Sequence, residues 1–243
     1  MTLASISQTG ISQSTIRGPR GRFVPQARTV EFFDDFLTLN MVATTTAVVS
    51  TWDLTLGSGA GVACGDVGGG SVVITPDGTD NLETILQMNS EWIPTMATDK
   101  RVMFETRLAH GVAASAEIFV GLCVKGTALG NLIATPQGVD HAGFWTEGAA
   151  GTGSILCGYG IDDDIQVDTG VDLADDEFVT LGFEYGPHVG TNVWKFYVNG
   201  NLVTTQTDTR IPAEEMTVLV GVRNGTAASH DLTIDYVYAL ADL

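Results

Sequence analysis

Basic residues are scarce in this chain: 11 Lys and Arg stand against 29 Asp and Glu, for a formal charge of −18. A body so acidic repels phosphate, which argues against nucleic acid as its partner. Cysteine is scarce as well. Cys64, Cys123 and Cys157 are odd in number and widely spaced, giving no CxxC metal pair and no disulfide framework. Three buried thiols of a protein made in a reducing cytoplasm are expected. No apolar run approaches the ~18 residues of a membrane span. The N-terminus lacks the charged, apolar, small-residue order of a secretory signal. Long segments of 3.6-residue period are missing too, so helices should be few and short.

What is present is glycine, 29 of them, and a succession of short apolar runs between them. "SVVITP", "KRVMFETRLAH", "AEIFVGLCV", "EFVTLGFEYG", "NVWKFYV", "NLVTTQT", "MTVLVGVRN" and "LTIDYVYAL" all have strand length and strand composition. Asn199-Gly200, between "NVWKFYV" and "NLVTTQT", supplies the two positive φ angles of a type I′ hairpin. "NLETILQMNSEW" fits a helix and a strand equally well. So many half-apolar strands need two packed sheets or a closed barrel to cover them. The expected fold is therefore all-β, one domain over residues 31–243.

Residues 1–30 differ from the rest. They contain four of the 11 basic residues and no acid, which leaves 7 basic against 29 acidic residues beyond them, a balance of −22. Gly18, Pro19, Gly21 and Pro25 break any helix or ladder, so the segment reads as an extended arm. Arg17, Arg20, Arg22 and Arg28 can each pair with a carboxylate, and Ile16 and Phe23 can fill apolar notches on a partner. Such an arm is expected to order only against an acidic partner surface.

The body resembles the concanavalin A-like lectin/glucanase superfamily in its laminin-G-like form. The likeness rests on "EFFDDF" as an opening strand and on "VMFETRL" with "EIFVGLCV" as paired central strands. It rests also on "FVTLGFEYGPHVGTNVWKFYVNGNLV" as a strand–loop–strand–hairpin unit and on "LTIDYVYAL" as a closing strand beside the first. The resemblance implies a jelly-roll sandwich of two antiparallel sheets. Glucanases of this group carry Glu-x-Asp-x-Glu or a close variant on one strand, since retaining hydrolysis needs two close carboxylates. This chain has no such triplet, and Glu105 and Glu184 stand alone on separate predicted strands. There is also no Gly-x-Ser-x-Gly elbow and no phosphate-binding glycine motif. His110, His141, His188 and His230 sit at or beside predicted loops, where solvated side chains are expected. The chain is accordingly expected not to be an enzyme.

Two binding chemistries remain. The acidic stretch "IDDDIQVDTGVDLADDE" (161–177) reads as a solvated edge or loop; calcium is the one ion it could hold, through Asp162, Asp163, Asp164 and Asp168. No other cofactor is expected. Trp145, in "HAGFWTEG", is the candidate for stacking on a sugar, whereas Trp52, Trp92 and Trp194 read as core. Asn224-Gly-Thr matches a glycosylation sequon, expected to be fortuitous.

A basic arm ahead of an acidic jelly roll also resembles the decoration or cement proteins of tailed-phage capsids. That resemblance implies a virion structural protein, assembled in the host cytoplasm and attached by its arm to the major capsid protein or other virion subunits. A homo-oligomer, with a trimer natural at capsid symmetry points, and no nucleic-acid or membrane partner would go with it. The competing reading is a carbohydrate-binding module of a phage surface, tail or receptor-binding protein, with a glycan as ligand.

Overall fold

A computed structural model describes residues 29–37, 51–57, 59–65, 70–93, 95–96, 100–133, 139–148, 153–161, 163–188, 191–207 and 210–242. The arm candidates Ile16, Arg17, Arg20, Arg22, Phe23 and Arg28 lie outside them. The strands, in chain order, are β1 (Thr29–Asp34), β2 (Trp52–Thr55), β3 (Gly61–Cys64), β4 (Val72–Thr75) and β5 (Glu83–Met88). Then come β6 (Val102–His110), β7 (Ala116–Cys123), β8 (His141–Thr146), β9 (Ser154–Ile161) and β10 (Asp163–Asp172). The last are β11 (Val179–His188), β12 (Thr191–Val198), β13 (Asn201–Gln206), β14 (Thr217–Asn224) and β15 (Leu232–Asp242).

They form two antiparallel sheets packed as a sandwich. The eight-stranded sheet runs β13-β12-β11-β6-β15-β4-β3, with β1 also paired to β15. The seven-stranded sheet runs β10-β9-β8-β7-β14-β5-β2. The closing strand does return beside the first, with Thr29 opposite Asp242 and Phe33 opposite Tyr238. "ETILQM" forms the strand β5, and the Asn199-Gly200 turn has φ of 50° and 74°, as a type I′ turn requires.

Two expectations need correction. The runs "VMFETRL" and "EIFVGLCV" are not paired: β6 bonds to β11 and β15, while β7 bonds to β14 and β8 in the other sheet. The chain crosses between sheets at 111–115, where Ser115 N–H bonds back to the Val112 carbonyl in a short 3-10 turn. The thiols are not all buried either. Cys123 and Cys157 are, but Cys64 is exposed on β3, the last strand of its sheet.

Burial periodicity separates the two sheets. On β6 buried and accessible positions alternate until the strand end, as on a sheet with one face in the core. On β14 nearly every residue is buried, and β8 is buried throughout. Continuous burial means that both faces of those strands are covered. The inner faces meet in a core that includes Tyr159 of β9 stacked on Trp194 of β12, with ring centroids 4.2 Å apart. Trp52 and Trp194 are core residues as expected, and Trp92 packs partly against it.

Candidate functional site

The outer face of the seven-stranded sheet is covered by the connection between β7 and β8. Leu129, Leu132 and Ile133 from that connection join Phe119, Cys123, Trp145, Ile85 and Leu219 in a second apolar cluster. Side chains projecting outward from β5 hold its backbone down. The Glu83 carboxylate accepts N–H bonds from Leu129 (3.1 Å) and Gly130 (2.7 Å). Gln87 donates to the Val124 carbonyl and accepts from Gly126 N–H. Glu117 and Arg223 form an ion pair of 2.5 Å beneath this cover. Trp145 lies within the cluster, fully buried, edge-on to His141. It therefore does not offer the exposed sugar platform its glycine-flanked context suggested. The ring lies over Gly158, where an added Cβ would come within 2.9 Å of it.

Other sequence candidates scatter. Asp168 is exposed on β10 and accepts the Gly170 N–H. Asp163 and Asp164 belong to β10, and Asp162 lies outside the described residues. Among the described residues no group of three His, Cys, Asp or Glu side chains converges on a cation-sized space. The histidines are not uniformly solvated. His141 is buried on β8 with Nδ1 donating to the Val139 carbonyl, and its burial lowers its pKa. His110 is buried at the end of β6, where desolvation lowers its pKa to about 4. Burial pushes the Cys157 thiol up to about 12 and the Cys123 thiol higher still, so neither is a nucleophile. Asn224 is buried and its amide donates to the Asp77 carbonyl, which puts the sequon nitrogen out of reach of a glycan.

The outer face of the eight-stranded sheet is different: among the described residues no segment covers it, and it is polar and aromatic. Strand register brings together residues far apart in sequence. Gly182 of β11 lies opposite Tyr197 of β12 and Glu105 of β6, Glu105 opposite Tyr238 of β15, and Tyr238 opposite Phe33 of β1. Leu202 of β13 continues the row beyond Tyr197. Phe33 and Leu202, at its two ends, are 56% and 54% exposed. A parallel row holds Lys195, Glu184, Met103, Leu240 and Glu31. Glu105 and Glu184, solitary in the sequence, are thus diagonal neighbours on adjacent strands.

Each of these carboxylates is held by a tyrosine. Glu184 Oε1 accepts from Lys195 Nζ (2.8 Å) and Tyr197 Oη (2.9 Å), and Glu105 Oε1 accepts from Tyr236 Oη (2.6 Å). The lysine hydrogen bond is the main reason that Glu184 sits below the usual carboxylate range. Tyr236 is raised by burial first and then by Glu105, and Tyr238 by burial and then by Glu31. All three phenols stay protonated near neutrality and are donors there. A shallow groove of about 410 Å³ opens at one end, lined by Arg101, Glu184, Tyr185, Gly186, Val193, Lys195 and Asp242. The tyrosines and Phe33 were missed at the sequence level. The available signal was alternation, Tyr236 and Tyr238 in "DYVYAL" and Lys195 and Tyr197 in "WKFYV".

No protein-family model and no curated protein sequence matches the chain. Solved structures do match in fold. An endo-1,3-beta-glucanase from Streptomyces sioyaensis superposes with TM-score 0.57 at 16% identity, covering 90% of this chain and 98% of that one. Peanut lectin matches with TM-score 0.57 at 13% identity, over 88% and 98%. A Shewanella oneidensis protein of unknown function matches with TM-score 0.58 at 14% identity, over 100% and 97%. Two lyases and a further glucanase also match. These enzymes overturn the expectation that the chain is not an enzyme: the missing Glu-x-Asp-x-Glu triplet excludes one arrangement on one strand, not catalysis on this scaffold. Among the described residues no helix is long and apolar enough to cross a membrane. Two antiparallel sheets, the β1–β15 closure and these likenesses give one conclusion: the fold is the concanavalin A-like lectin/glucanase jelly roll.

Proposed function

We propose that the protein binds carbohydrate on the open outer face of the eight-stranded sheet. The observation that carries this reading is the row Leu202, Tyr197, Gly182, Glu105, Tyr238, Phe33, which crosses the sheet with aromatic rings and a carboxylate at its surface. A pyranose offers an apolar C–H face and a rim of hydroxyls. Aromatic rings match the first and pre-oriented carboxylates accept from the second. The glycine at Gly182 keeps the middle of the row low. The company of lectins and glucan-cleaving enzymes in the same fold supports the reading. Incubation with a panel of immobilised neutral, uronic and sulfated polysaccharides tests it. Retention on at least one, reduced by Phe33→Ala, is expected, and sizing the released glycan scores cleavage in the same experiment. Retention on none would overturn the proposal.

A second reading is favoured by the charge contrast alone: residues 1–28 attach the domain to the major capsid protein or another virion subunit. Four arginines without an acid, ahead of a body at −22, suit an acidic partner surface. Deleting residues 1–28 should abolish attachment to the assembly while leaving the melting temperature unchanged. Undiminished attachment would end this reading.

A further inference from the structure

From the charges on the open face we infer that its ligand is a neutral glycan chain lying across the strands, and not a polyuronate. This inference rests on the proposed glycan-binding role and adds the ligand class. Among the described residues, three cations of the face each have a carboxylate partner. Arg101 lies 3.7 Å from Asp242, Arg107 lies 2.5 Å from Asp235, and Lys195 lies 2.8 Å from Glu184. Arg107 also sits 4.2 Å above the Phe178 ring. Glu105 and Glu31 remain, each held by a tyrosine hydroxyl and, among the described residues, in no ion pair. Among the described residues the face therefore carries surplus negative charge, with no cation set aside for an incoming carboxylate.

Those groups instead suit hydroxyl donors. A carboxylate that accepts one tyrosine bond keeps further lone pairs for a sugar hydroxyl. The ion pairs and tyrosine bonds fix the carboxylates before binding, which lowers the ordering cost on association. Chain direction follows from the row. From Leu202 to Phe33 it crosses five inter-strand gaps, about 24 Å at ~4.8 Å each. One gap is comparable to the length of one hexose along a chain, so successive sugars meet successive strands.

The test uses the full chain with two probes, a linear β-1,3-glucan hexaose and a glucuronan hexamer, titrated calorimetrically. The glucan is expected to bind at least ten-fold more tightly than the glucuronan, and lowering the salt should widen the gap, since repulsion is then less screened. Phe33→Ala and Tyr197→Phe, at accessible positions, should each weaken glucan binding several-fold with an unchanged unfolding midpoint. Equal or tighter glucuronan binding overturns the neutral-ligand inference and leaves the glycan-binding role standing. Glucan binding untouched by both variants overturns the placement on this face. Binding of neither probe, with no retention on the wider polysaccharide panel, removes both. Sedimentation that shows a dimer dispersed by Phe33→Ala would make the face an interface between copies, and would also overturn the inference.

Discussion

Leu129 rests directly on Gly221: a Cβ built at that glycine would stand 2.8 Å from Leu129 Cδ1, with nothing between them. The contact is between the cover and the strand beneath it, and it explains a glycine in the middle of an otherwise apolar strand. Truncating Leu129 to Ala should cost about 2–4 kcal/mol through lost transfer energy and an unfilled space. Gly221→Ala should cost about 1–3 kcal/mol by overpacking. Combined, the two changes should cost clearly less than their sum, because the smaller side chain makes room for the methyl group. Additive losses in urea denaturation would show that the two residues do not share this space.

The β12–β13 hairpin gives a cleaner backbone test. An added Cβ at Gly200 meets nothing within 4 Å, so its φ of 74° is the whole obstacle to a side chain there. Gly200→Ala should destabilise by about 1 kcal/mol, from the left-handed conformation alone. Asn199→Ala should cost a similar amount, since Asn199 Oδ1 also accepts the Thr180 N–H at 2.9 Å. If Gly200→Ala leaves the unfolding midpoint unmoved, the turn is not held in type I′.

Much of the architecture was legible in the sequence because strands announce themselves by alternation and turn residues. β6, β11, β12, β13 and β15 were all readable in that way, whereas the closure of β15 on the opening strand followed only from the resemblance to the jelly-roll superfamily. β8 and β9 were not. Their glycines look like loop punctuation, yet Gly158 serves to admit the Trp145 ring. The same misreading put Trp145 at the surface. The continuous apolar runs of β7 and β14 did carry the signal that both faces are covered, though nothing local says by which segment. The open face was hidden for another reason: Glu105, Glu184, Tyr238 and Phe33 meet only through register between strands distant in sequence.

The Glu117–Arg223 pair lies under the cover, with side chains 7% and 16% exposed. Removing one partner there strands the other in a poorly hydrated place. Arg223→Met should therefore cost about 3–5 kcal/mol, while Arg223→Met with Glu117→Gln should recover most of the loss. Equilibrium denaturation at neutral pH measures both. A double variant as unstable as the two single losses added together would show that the charges act independently.

The last prediction concerns acid. His110 is buried at the end of β6, its ring 6.3 Å from that of His230 and its Nδ1 3.0 Å from the Val112 carbonyl oxygen. Burial is the main cause that lowers its pKa from 6.5 to about 4, the neighbouring His230 adds to it, and Val112, Asp175 and Asp231 oppose it. A histidine lowered on folding takes up its proton first in the unfolded chain. Its contribution is therefore complete above about pH 6.5 and is lost as pH falls toward 4, by about 3 kcal/mol over the whole interval. His141 is lowered in the same sense, again mainly by burial, so its loss also sets in as pH falls below its ordinary value. Glu184 does not intrude on it, because a depressed carboxylate loses its contribution only below its ordinary titration range. Denaturation midpoints of the wild type should fall between pH 7 and pH 5. His110→Gln, uncharged throughout, should show a visibly shallower fall, and His110→Gln with His141→Gln a shallower one again. Curves that fall in parallel for all three proteins would mean that neither histidine is held neutral by the fold.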